Sequence, residues 1–439
     1  MSGTGRFVED YRRLIAPRAG IVPAWLGPLR DAAISRFAER GFPTPREEDW
    51  KYTNVARLVS MGFRPALEAR GAAGAAAPRL LGAAAASQLV FVNGRFAPDA
   101  SAKAELPSGV RLRSLSSAFD ARSTAVERHL TRHAAFDRNG FTALSTAFLA
   151  DGAVLEVDDG VVLDRPVEVV FASDGRGGER LGYPRLLVVC GREAEASLVE
   201  SYVSIDGAPT LTNAVAEVVL GEGSRLAHLR LVREGVDGSH VAITAVVQGR
   251  DSRYASAALS LHASFLRHEL DVRLAGEGAE CSLDGLYLAA GKEFVDNHTS
   301  IDHVVPHGTS RELYKGVLAG HARAVFNGKV IVRPNAQKSN AQQTNKNLLL
   351  SAHTEIDSKP ELQILADDVK CAHGAAIGEP DPDAIFYLKS RGIGDSAGRK
   401  LLTRGFVGEV VQRITPQELR AAAENAVFER LEQIFAEEP

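Results

Sequence analysis

The period of hydrophobic and polar positions changes twice along the 439 residues. Up to about residue 60, apolar residues recur at helical spacing, first as Phe7, Tyr11, Leu14 and Ile15, then as Leu29, Ala33, Ile34 and Phe37. Gly41 suits a helix stop. Thr44-Pro45-Arg46-Glu47 reads as a capping box with proline at the first helical position, placing Trp50 and Tyr52 as apolar anchors of a small helical domain. Residues 69–87 are rich in Ala and Gly and read as a linker. LVFVNGRFAP (89–98) alternates around Asn-Gly, a hairpin signal. The part from 111 to 148 is mixed, with a helix expected near Ala125 to Ala135.

From about 150 the texture turns to short strands and a repeat emerges. Gly191-Arg-Glu-Ala-Glu-Ala, Gly221-Glu-Gly-Ser-Arg-Leu, Gly249-Arg-Asp-Ser-Arg-Tyr and Gly276-Glu-Gly-Ala-Glu-Cys align, their glycines 30, 28 and 27 residues apart. A turn followed by a strand at near-constant period predicts a solenoid of strands, a β-helix, in which each coil buries its face against the next. A long β-sandwich competes but seldom keeps a period. In this register Cys281 falls on the same position as Ala196, Leu226 and Tyr254, a core position, and Cys190 ends the apolar run LLVVC. Both read as small buried hydrophobes.

After Gly378 the helical period returns. Asp381-Pro382 opens a helix through Ile385, Phe386 and Leu388 to Gly392; a second carries Leu401, Leu402, Phe406, Val407, Val410 and Ile414. Thr415-Pro416 opens a third, striped by Leu419, Ala423, Val427, Leu431, Ile434 and Phe435. These stripes must cover the solenoid's open end, each other or a partner. The expected architecture is mainly β: a helix-rich domain over 1–148, a β-helix over 149–378 and a helical domain over 379–439.

Composition narrows the function. The chain holds 51 basic and 55 acidic residues, net −4, with no Lys/Arg-rich run, so a nucleic-acid footprint is absent. Three scattered cysteines, Cys190, Cys281 and Cys371, argue against a disulfide framework and for a reducing compartment. The first residues lack an apolar signal core and no run approaches the roughly 18 apolar residues of a spanning helix. A cytoplasmic protein with no membrane partner is expected. The chain lacks GxxxxGK[ST], a strand-borne GxGxxG, HExxH and CxxC, so nucleotide binding and several common enzyme classes are not expected.

Candidate chemistry concentrates late. His298, His303 and His307 invite a metal reading, but on a strand His298 and His303 face opposite ways. Asn335, Asn340, Asn345 and Asn347, with Gln337, Gln342 and Gln343, read as polar turns or stacked amides. Cys371 and His373 share a face if their segment is a strand, with Cα atoms roughly 6.5 Å apart. Beside Lys370 the thiol is a candidate for a lowered pKa, which Asp367 and Asp368 would oppose. Two ligands do not close a zinc or iron–sulfur site, which takes about four. Chemistry and packing both remain open for this pair on the residues alone.

ARAVFNGKVIV (322–332), QTNKNLLLS (343–351), EIDSKPELQILADDVKCAHGAAIG (355–378) and IFYLKSRGI (385–393) resemble the SufB/SufD family of iron–sulfur cluster assembly scaffolds. PTPREEDWKYTNVARL (43–58) and LVFVNGRF (89–96) resemble its SufD branch. The resemblance implies a right-handed parallel β-helix between helical terminal domains. It implies a non-catalytic scaffold that pairs with SufB through the β-helix near 320–378. It further implies docking of the SufC ATPase through helices within 395–436. By position, His373 matches a histidine that joins a SufB cysteine in holding a nascent Fe–S cluster, and Cys371 the neighbouring cysteine, a second candidate ligand. A SufB-like homodimeric scaffold and a β-helix enzyme acting on polysaccharide are the alternatives. Flavin binding is left open.

Overall fold

The computed structural model describes residues 3–16, 22–66, 77–176, 178 and 180–437. Part of the Ala/Gly-rich stretch 69–87 lies outside them. At its centre is a parallel β-solenoid of eight two-strand coils. Its strands are β1 (Ala153–Val157), β2 (Val167–Ser173), β3 (Arg185–Cys190), β4 (Glu195–Ser204), β5 (Thr210–Leu220), β6 (Arg225–Arg233), β7 (Gly238–Gln248) and β8 (Arg253–His262). They continue as β9 (Phe265–Leu274), β10 (Glu280–Ala289), β11 (Phe294–His303), β12 (Thr309–Leu318), β13 (Arg323–Val332), β14 (Asn340–Leu349), β15 (Glu355–Ile364) and β16 (Lys370–Gly378). Odd strands stack in one sheet and even strands in the other.

The repeat glycines explain the period. They stack at one corner, so closely that a Cβ on Gly276 would lie 2.0 Å from the Arg250 nitrogen and one on Gly221 2.8 Å from the Gly191 carbonyl carbon. Only glycine lets backbone approach backbone like this. The strand after each corner then begins in register: Ala196 pairs Leu226, Leu226 pairs Tyr254 and Tyr254 pairs Cys281. Alternate residues of every strand fill the bore, with Leu198, Leu226, Val246, Leu270, Leu283 and Phe326 almost wholly buried.

Helices cover the outer sides of both sheets. Over the odd sheet lie α1 (Gly3–Leu14), α2 (Leu26–Arg40), α3 (Ala56–Ser60), α4 (Leu115–Asp120), α5 (Thr124–His129) and α6 (Gly140–Ala147). Gly41 ends α2 at φ 71°, its amide donating to the Phe37 carbonyl. The expected capping box forms in part: the Thr44 amide donates to Glu47 Oε1 at 2.9 Å, but a short 3-10 turn over Glu48–Trp50 follows instead of an α-helix. That turn brings Trp50 onto Phe141, with the Arg267 guanidinium 3.7 Å from the indole centroid. Trp50 is thus the anchor of this domain on the solenoid wall. Asn93 and Gly94, both at positive φ, close the expected hairpin. Its first strand, Gln88–Val92, also pairs in parallel with β2, so the sheets run on into the N-terminal region.

The C-terminal helices are α7 (Pro382–Ser390), α8 (Asp395–Val411) and α9 (Gln417–Glu437). Of the three expected places they take one, packing on each other, and add a fourth, the flank of the solenoid. Val407, Val410, Leu419, Val427 and Leu431 pack on Leu229, Leu259, Leu286 and Val317, the outer side of the even sheet. Lys315 Nζ donates to Glu409 at 2.5 Å and Arg430 to both Glu293 oxygens at 2.9 Å, pinning the helices there. No described helix is long and apolar enough to cross a membrane.

Candidate functional site

With the helices on the flank, the last coil is left bare. β15 and β16 are the outermost strands of the two sheets. Hardly a residue in either is buried, and Ile364, Leu365 and Ile377 stand 42%, 52% and 51% exposed. The coil therefore offers two unpaired backbone edges and an uncovered apolar cross-section.

Cys371 and His373 sit on β16 and share its bore-facing side. Cys371 continues the column Cys281, Ser310, Ala341, and His373 the column Leu283, Glu312, Gln343. Cys371 is half-buried against the bore while His373 is exposed at the rim. The lowered thiol pKa considered from sequence is not what the environment produces. Burial pushes the Cys371 thiol up, with only a backbone hydrogen bond from the Ala341 position opposing it. Lys370 alternates to the outer side and Asp368 is drawn away to Lys338, so neither charge acts on the sulfur. Among the described residues no group of three or more His, Cys, Asp and Glu side chains is placed to hold a metal. The pair is therefore at most a part of a site.

The other candidates go elsewhere. His303 faces the bore, fully buried, its Nε2 2.9 Å from the Ser310 hydroxyl, and burial lowers its pKa to about 4. His298 faces outward, 3.0 Å from Asp296, and His307 lies in the turn after β11, near Glu277. Cys190 and Cys281 are buried, and burial pushes the Cys190 thiol up to about 12. The amides divide. Gln337 joins a turn, its Nε2 donating to the Pro334 carbonyl, whereas Asn345 and Asn347 fill the bore. Asn347 donates to Asn345 Oδ1 at 2.7 Å and Asn345 to the Tyr287 hydroxyl at 3.1 Å.

Sequence reading passed over two features. Glu312 is a buried carboxyl behind Gln343, which was read only as one of the amides, and both lie in the column of His373. Alternation in TSRELYKGVL, which puts Ser310, Glu312 and Tyr314 on one side, carried that signal. Phe386 and Tyr387 on α7 and Leu401 on α8 are exposed large apolar side chains, at 74%, 57% and 51%. No periodicity marks a side chain left over for a partner.

The structure thus presents a two-sheet β-solenoid with one uncovered end, where Cys371 and His373 share a side of the last strand. Residues 171–406 match the model described as "SUF system FeS cluster assembly, SufBD core domain", and residues 10–169 the SufBD protein N-terminal region. The chain belongs to the SufBD family of the SUF iron–sulfur cluster assembly system. It is 35% identical to an iron–sulfur cluster assembly SufBD family protein of Synechocystis, covering 88% of this chain and 86% of that one. It is 28% identical to the iron–sulfur cluster assembly protein SufD of Escherichia coli, covering 92% and 93%, and 26% identical to SufD of Bacillus subtilis, covering 89% and 91%.

Proposed function

We propose that this chain is a SufD-type, non-catalytic scaffold subunit of the SUF assembly complex. In this reading its bare last coil pairs with the matching coil of a SufB subunit, and a nascent Fe–S cluster is held across that junction as cargo. The observation that carries it is the coincidence of three things at one end: free strand edges, uncovered apolar residues and the Cys371/His373 pair. Edge-to-edge pairing of two such coils would extend both sheets and bury the cross-section. It would also bring in the ligands this chain lacks. His373 supplies one nitrogen ligand, and Cys371, with its raised pKa, is the weaker second candidate until a metal draws off its proton.

The exposed apolar side chains of Phe386, Tyr387 and Leu401 support docking of the SufC ATPase on the C-terminal helices, which would provide the nucleotide hydrolysis. The test is anaerobic cluster reconstitution in the complex with SufB and SufC, read by absorption and Mössbauer spectroscopy. His373→Ala should lose most of the cluster while the complex stays assembled. Undiminished cluster formation would remove the ligand assignment, and failure of the chain to co-purify with SufB would remove the heteromeric reading.

A further inference from the structure

The bore behind His373 is built rather than merely filled. Gln343, one rung inward, donates its Nε2 to Glu312 Oε2 at 2.7 Å. Both are buried, at 1% and 3% exposure. Gln343 Oε1 is buried and has no hydrogen-bond partner. Buried acceptors normally find a donor, and the neighbours on the same strand do. Asn345 Oδ1 accepts from Asn347 and from Ser358, and Asn347 Oδ1 accepts from the Tyr287 hydroxyl. The unmet acceptors lie in the column of Gln343 itself, on its Oε1 and on Glu312 Oε1. The space around it is also specific, because a Cβ on Gly328 across the bore would lie 2.2 Å from Gln343 Nε2. Glycine at 328 leaves room for this amide.

The next rung outward holds His373, roughly 4.8 Å away along the sheet. By register it is the next side chain outward in this column and its ring carries an N–H, although no hydrogen bond joins the two in the free chain. A histidine that gives one N–H to a fixed acceptor is held in one tautomer, with the lone pair on its other nitrogen free for a metal. We propose that Gln343 and Glu312 are positioning residues for His373. Glu312 keeps the Gln343 nitrogen turned inward, and Gln343 Oε1 accepts one ring N–H of His373, so that the other nitrogen presents its lone pair at the open end. This rests on the reading of His373 as a cluster ligand. Burial pushes the Glu312 carboxyl up to about 7, Asp284 adding to the shift and the Gln343 bond opposing it. Charged or neutral, the carboxyl still offers an oxygen to Gln343, so the orientation persists across neutral pH.

The test is nitrogen-15 NMR of imidazole-labelled full-length chain, with the His373 signals assigned by His373→Ala. The wild-type ring should show one protonated and one unprotonated nitrogen. In Gln343→Leu the two shifts should move toward averaged values, and in Glu312→Gln, where the amide is free to flip, part of the way. Averaged shifts in the wild type, or shifts unmoved by both variants, would overturn the proposal. Should Gln343→Leu not fold, Glu312→Gln carries the same readout. In the reconstituted complex, Gln343→Leu should weaken iron binding about 10- to 100-fold. If His373→Ala abolishes cluster formation while Gln343→Leu leaves the tautomer untouched, positioning fails alone. If the tautomer is locked but His373→Ala forms clusters normally, the ligand reading fails instead.

Discussion

The two ends of the solenoid are finished differently. At the N-terminal end each sheet stops in an antiparallel strand: Val110–Ser114 lies against β1, and Arg95–Phe96 folds back on the strand beside β2. β1 and β2 are buried along their whole length, and Phe91, Phe171 and Tyr202 stack through the bore. At the C-terminal end both sheets stop in bare parallel strands, although three helices follow and are long enough to cover them. Those helices are spent on the flank. The proposed pairing with SufB accounts for an end left open although helices are at hand.

The largest effect expected from this contrast is in core deletions. Phe171→Ala at the closed end removes a ring packed on two others and should cost about 3–5 kcal/mol in denaturant unfolding of the isolated chain. Ile377→Ala at the open end should cost below about 1 kcal/mol, because the side chain is already half in water. Its effect should appear instead as weaker pairing with SufB in sedimentation. Equal losses of stability at the two ends would mean that the last coil is covered in the free chain.

A second effect comes from the carboxyl near the open end. Glu312 has its pKa raised from 4.5 to about 7, so the folded state binds the proton that the unfolded chain releases between these values. The sign follows: stability is fullest below about 4.5, falls as pH rises toward 7 and is flat above. The fall from this group is about 3 kcal/mol, at about 1.4 kcal/mol per unit. Glu312→Gln should lose that slope and exceed the wild type in stability above pH 7, measured by urea unfolding across pH. A slope that survives the substitution would assign it to other groups.

Much of this was legible in the sequence because the solenoid is periodic and periodicity is local. The corner glycines at 191, 221, 249 and 276 gave the coil length, and with it the column that buries Cys281. The family motifs gave the last coil its interest. What could not be read were contacts between distant segments. Whether the stripe on α9 would meet a solenoid end or a flank depends on Leu259 and Leu286, which are far away in sequence and look like any other strand leucines. The capping box at Thr44 carried the right hydrogen bond, yet tertiary packing of Trp50 against Arg267 decided that a turn, not a helix, should follow. The depressed pKa considered for Cys371 failed for a related reason. Sequence placed Lys370 next to the sulfur, and strand alternation placed it on the other side.

The smallest stability effect is expected on α8, whose two sides repeat the contrast between covered and uncovered surface. Val407 and Val410 are fully buried against the even sheet, whereas Leu401, on the same helix, is 51% exposed. An exposed apolar side chain contributes little to folding, so Leu401→Ala should change stability by no more than about 0.5 kcal/mol. At a docking surface the same methyl groups become buried against a partner and weigh more. Leu401→Ala, combined with Phe386→Ala from the adjoining helix, should therefore leave the thermal midpoint of the isolated chain nearly unchanged and lower its affinity for SufC at least tenfold by calorimetry. Unchanged SufC affinity would move the docking surface off these two residues, and the bare last coil would then be left as the chain's principal interface.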